Sequence, residues 1–105
     1  MSKFYNVTGS TGVTVELIKP TEENTNIKSI LLTNVHATAD ATVTLFIQDD
    51  PTDGATSTYN IISTIAIPSD TALLLDNPST LSFEDFYGLY ITVGSSDTVD
   101  VMINI

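Results

Sequence analysis

Apolar and polar residues alternate with a period of two along most of this chain, and no stretch keeps a helical apolar period over ten residues. The alternation is cleanest in two places. Ala41, Val43, Leu45 and Ile47 share one face of 41–48, and Val99, Val101, Ile103 and Ile105 share one face of the last segment. Between turn signals lie eight strand-length segments: 4–8, 13–18, 27–35, 41–48, 59–67, 71–75, 89–93 and 99–105. The breaks are Gly9-Ser10-Thr11-Gly12, Pro20 with the polar stretch after it, His36–Asp40, Asp49–Gly54, Pro68, Asp76-Asn77-Pro78 and Gly94-Ser95-Ser96-Asp97. Leu81–Phe86 fits either a short strand or one helical turn around Glu84-Asp85. The pattern predicts an all-β protein, a small jelly-roll-like β-sandwich of about eight antiparallel strands, forming one domain over residues 1–105.

Several strands break the alternation in one direction. In Ile30-Leu31-Leu32, Ile61-Ile62 and Leu73-Leu74-Leu75 neighbouring residues are all apolar, and neighbours in a strand face opposite sides of the sheet. One side of a sandwich sheet meets water, so Leu31, Ile62 and Leu74 are expected contacts with another subunit, unless loops or the Leu81–Phe86 segment cover them. Ile105 is expected to join them, because the last strand keeps its register to the final residue. That strand is expected to be either internal to its sheet or an edge, and an edge would be blunted by Asp100 and Asn104, ahead of pairing with a neighbouring subunit.

Composition narrows the function classes. At 105 residues the chain supports a single core. A hydrophobic fraction of 42% is too high for disorder, and only 15% of residues are charged, with Ser and Thr filling about a quarter of the chain. Thirteen acids against three lysines and no arginine give a net charge of −10. A nucleic-acid ligand needs a basic footprint, and an anionic membrane surface would repel this one, so neither is an expected partner. With no cysteine there is neither a disulfide framework nor a thiolate site. The N-terminal Met1–Val7 stretch lacks the apolar run of a signal peptide, and the aliphatic runs fall far short of a membrane span, so folding in a cytoplasm is expected.

The candidate chemistry is thin. His36, the only histidine, lies at a strand end before small turn residues, and no Gly-x-Ser-x-Gly elbow holds a nucleophile, so a turn or interface role is expected. Asp49-Asp50-Pro51-Thr52-Asp53-Gly54 fits a calcium loop at Asp49, Asp53 and Gly54 but places Pro51 and Asn60 where ligands belong; it reads as a turn, with divalent binding left open. Glu84 and Asp85 are adjacent, and carboxylates so placed on a strand cannot face one substrate. Tyr87 and Tyr90, with Phe83 and Phe86, suit either a small β core or a sugar-stacking surface. No enzyme activity, cofactor or resident metal is expected.

The strings Lys28-Ser29-Ile30-Leu31-Leu32-Thr33-Asn34-Val35-His36, Ala41–Ile47, Tyr59-Asn60-Ile61-Ile62, Leu73-Leu74-Leu75-Asp76 and Leu89–Gly94 resemble short virion structural proteins of tailed bacteriophages, of the marine and cyanobacterial type. The resemblance runs from Ile27 nearly to the end. It implies a β-sandwich subunit on a phage particle, assembled in the host cytoplasm. The favoured expectation is a capsid decoration or cement subunit that binds the major capsid protein and forms a homo-oligomer, a trimer first. A neck, tail or fibre component comes next, and then a carbohydrate-binding module for host attachment.

Overall fold

The computed structural model describes residues 2–9, 14–19, 27–49, 57–77, 81, 87–94 and 97–104. It contains β1 (Ser2–Thr8), β2 (Thr14–Ile18), β3 (Ser29–Asn34), β4 (Ala41–Asp49), β5 (Thr58–Ile67), β6 (Ala72–Leu75), β7 (Tyr87–Val93) and β8 (Thr98–Asn104). They form two four-stranded antiparallel sheets, sheet A in the order β1-β8-β3-β6 and sheet B in the order β2-β7-β4-β5. Only β4 and β5 are successive in sequence and paired; every other step in the chain crosses between sheets. This interleaving is the double Greek key of a jelly roll, and the all-β sandwich expected from the alternation is the fold found.

The core follows the period of two. Val99, Val101 and Ile103 of β8 and Ile30 and Leu32 of β3 meet Ala41, Val43 and Leu45 of β4 and Leu89, Ile91 and Val93 of β7, all buried. In Leu81–Phe86, Leu81 is helical and buried in this core, and 82–86 lie outside the described residues.

The last strand is not an edge. β8 pairs with β1 on one side and β3 on the other, so Asp100 and Asn104 stand on a sheet face and blunt nothing. Of the two placements the internal one is found, and the blunted-edge reading fails, because the topology returns β8 to the interior of sheet A and leaves β1 outside it. Ile105 lies outside the described residues.

Bulges explain where alternation fails. The β2–β7 register shifts between Glu16 and Ile18, so Leu17 is an extra residue and both Leu17 and Ile18 reach the core. The Leu17 carbonyl accepts a hydrogen bond from the Tyr5 hydroxyl, which ties β1 to β2 across the sandwich. In β5 the register shifts twice, and Thr64 in the second strand of that pair has a φ of 52°. Ile62 opposes the inward Leu45 and so faces the space between the sheets, not the outer surface.

Two polar knots hold the ends of the strands. Asn34, fully buried, donates from Nδ2 to the carbonyls of Ala39 and Ile67, both at 2.9 Å, and its Oδ1 accepts from the His36 N–H at 2.9 Å. At the Gly94–Asp97 turn, the Asp97 carbonyl accepts from Gly9 N–H at 2.8 Å, Gly94 N–H donates to the Thr42 carbonyl at 2.8 Å, and Asp97 Oδ2 accepts from Thr42 N–H at 3.1 Å.

Candidate interaction surface

Register in sheet A brings four distant residues into one line. Phe4 opposes Met102, Met102 opposes Leu31, and Leu31 opposes Leu74. All four side chains stand on the outer face, because the residues beside them in each strand point into the core. The result is an apolar row crossing the whole sheet, about 14 Å from first strand to last at normal strand spacing. Phe4 is 66% exposed, Leu74 53% and Met102 39%. Leu31 is half-buried between its neighbours.

Polar rows flank this line. On one side Asn6 Nδ2 donates to Asp100 Oδ1 at 2.6 Å, with Thr33 next along the row. On the other, Asn104 Nδ2 donates to Ser29 Oγ at 2.9 Å. An apolar line inside a hydrogen-bonded polar border has the anatomy of a protein–protein contact, where the centre excludes water and the rim stays wet. A shallow depression of about 350 Å³ runs between Phe4, Asn6, Asp100 and Met102.

At the β6 end the row turns the corner. Leu74 also lines a cleft of about 600 Å³ that opens between the β5 and β6 edges, with Ile47, Ile61, Ile62, Leu75 and Leu81 among its walls and Tyr59, Asp76 and Asn77 at its rim. Of the expected assembly contacts, the structure therefore places Leu31 and Leu74 in the outer row and Ile62 inside this cleft. Phe4 and Met102 were not among the expected contacts. Phe4 sits singly between Lys3 and Tyr5, while Met102 stands in the apolar run Val101-Met102-Ile103, a signal of the same kind as Ile30-Leu31-Leu32; the pairing of β1 and β3 with β8 reveals their alignment.

The chemical candidates take structural places. His36 accepts from the Asp70 N–H through its carbonyl at 3.0 Å, and its Nε2 lies 3.7 Å from Asp97 Oδ1, the carboxylate already holding Thr42. Asp49 Oδ1 accepts from Ser57 N–H at 2.7 Å, closing the neck of its loop, whose residues 50–56 lie outside the described residues, as do Glu84 and Asp85. Among the described residues no group of three or more His, Asp or Glu side chains is placed to hold a metal. Tyr87 and Tyr90, three apart in β7, face opposite sides and form no common platform. Tyr90 stacks on Phe46 on the outer face of sheet B at a centroid distance of 5.6 Å, while Tyr87 lies against Tyr59. Phe83 and Phe86 lie outside the described residues.

No protein-family model matches the chain, and no curated protein is significantly similar to it. Among solved structures, the crystal structure of PirA is similar with a TM-score of 0.55 and 12% sequence identity, over 97% of this chain and 90% of that one. At that identity the likeness concerns the fold alone: two chains with little sequence in common build similar all-β sandwiches.

Proposed function

We propose that this protein is a structural subunit of a phage virion, a decoration or cement protein that seats the outer face of sheet A on the major capsid protein and stabilises the shell. The observation that carries the assembly role is the apolar row Phe4–Met102–Leu31–Leu74, bordered by polar rows on a face with no described element over it. The virion setting rests on the resemblance of the strand and turn strings to phage structural proteins. Covering Phe4 and Leu74, each more than half exposed, contributes about 1–2 kcal/mol apiece from burial. The mechanism is adhesive. A rigid sandwich presents the row, and the acidic, Ser/Thr-rich remainder keeps the particle hydrated.

Mixed with shells of its cognate major capsid protein, the chain is expected to co-sediment at saturable stoichiometry. The double variant Leu31→Ser, Leu74→Ser removes the β3–β6 half of the row and is expected to lose about 2–3 kcal/mol, roughly a hundredfold in affinity, while remaining folded. Binding only to tails or necks would move the subunit to that station. No binding to any virion component would end the reading.

A further inference from the structure

We propose that the free edge of β1 pairs antiparallel with the same edge of a second copy of this chain, joining two A sheets into one across a two-fold axis. The pairing uses the backbone edge of the sheet and so goes beyond the seating role of its outer face. It yields a dimer where a trimer was the first expectation.

Four strands end the two sheets: β1 and β6 in A, β2 and β5 in B. Three of them carry features that obstruct the addition of a strand. β2 bears Glu16 and the bulge at Leu17. β5 is interrupted by two register shifts and by Thr64 in the left-handed region. β6 is four residues long, with Asp70 and Asp76 on either side of it. β1 is different. Its seven residues pair without a shift from Ser2↔Asn104 to Thr8↔Thr98, and it contains no proline and no acid. Its one charge, Lys3, lies on the inner side of the strand and is engaged within the fold.

The parity of the ladder fixes what this edge offers. The hydrogen bond from Gly9 N–H to the Asp97 carbonyl continues the β1–β8 ladder, and the one from Val35 N–H to the Thr98 carbonyl continues the β3–β8 ladder. Odd-numbered residues of β1 therefore bond to β8. Ser2, Phe4, Asn6 and Thr8 turn their N–H and C=O groups to the open edge. An identical strand running antiparallel presents the same groups in reverse order, so the edge is complementary to itself and the contact closes on two subunits. With the two Phe4 side chains adjacent, the apolar rows of both copies join into one line across eight strands. Charge favours this edge as well. Two copies at −10 repel on most approaches, whereas β1 contributes no acid, and Asp100 in the adjacent strand is bonded by Asn6.

Sedimentation velocity of the full chain across a concentration series, combined with residue-resolved hydrogen exchange, tests the pairing. A monomer–dimer equilibrium is expected. The amides of Phe4 and Asn6 should slow by about tenfold or more as the dimer fills, while those of Lys3, Tyr5 and Val7 stay protected at every concentration. Asn6→Pro deletes one outward N–H and leaves the β1–β8 bonds in place, so a folded monomer is expected. A chain that is monomeric throughout overturns the proposal, and so does a dimer whose Phe4 and Asn6 amides exchange at monomer rates. If Asn6→Pro does not fold, the exchange pattern of the unaltered chain decides alone. The Leu31→Ser, Leu74→Ser variant should keep the dimer and lose the shell, so the two readings fail separately.

Discussion

Replacing Asn34 with Ala is expected to cost about 2–4 kcal/mol of folding stability, a large share of the total for a domain of this size. The residue is fully buried and makes three hydrogen bonds, two as donor and one as acceptor. Its truncation strands the buried carbonyl of Ile67, which keeps its desolvation penalty, and removes the partners of the part-buried Ala39 carbonyl and His36 N–H. The bonds also link different parts of the sandwich. Asn34 ends β3 in sheet A, while Ile67 ends β5 in sheet B, so one amide pins the two sheets together at that end. Asn34→Asp keeps the shape but replaces both donors with a carboxylate facing two carbonyls, and is expected to be worse than Ala at neutral pH. Urea denaturation checks the order: midpoints should fall from the unaltered chain to Ala to Asp, with the slope unchanged. An Ala variant within about 0.5 kcal/mol of the unaltered chain would remove Asn34 from the account of the fold.

Gly9→Ala is the second large effect, about 3 kcal/mol, near the top of the range for overpacking. A Cβ at this position would collide with the carbonyl oxygen of Gly94, lie 2.6 Å from that of Val93 and sit 2.8 Å from the Gly94 carbonyl carbon. These are backbone atoms in a knot held by Gly9, Thr42, Gly94 and Asp97, so they cannot yield without giving up hydrogen bonds. Gly94 offers the contrast. A Cβ there collides with the Asp97 carboxylate, a side chain that can turn away at the loss of its bond to Thr42. Gly94→Ala is therefore expected to cost less than Gly9→Ala, and thermal melts of the two variants check the ranking. The reverse order would mean that the close approach of β1 to the Gly94 turn is not a rigid constraint.

The strands themselves were legible because burial on one face imposes a period of two that nothing else in the chain imitates. β4 and β8 show it without interruption, and their inward residues are those the alternation names. What the alternation cannot carry is partnership. Met102 lies between Phe4 and Leu31 through pairings that span most of the chain, and a pattern read locally has no access to them. Bulges hide a second class of fact: the doubled isoleucines at Ile61-Ile62 suggest opposite faces, yet the shifted register of β5 leaves both lining the cleft. Asn34 is a third case. In the chain it reads as a polar residue entering a turn, and only the closing of the sandwich over it turns that turn signal into a buried cross-link. Leu31 and Leu74 were within reach because each stands among aliphatic neighbours; Phe4 stands between Lys3 and Tyr5, with nothing to mark it.

The central claim, that sheet A meets its partner through the apolar row, is tested most directly by the oxidation of Met102. This thioether stands in the middle of the row, 39% exposed, and peroxide converts an accessible methionine to its sulfoxide. Peptide mass analysis after a timed peroxide pulse should show Met102 oxidised in the free chain and protected in the shell-bound chain. Equal oxidation of Met102 in both states would contradict the claim, because a row that stays open to peroxide is not the face in contact.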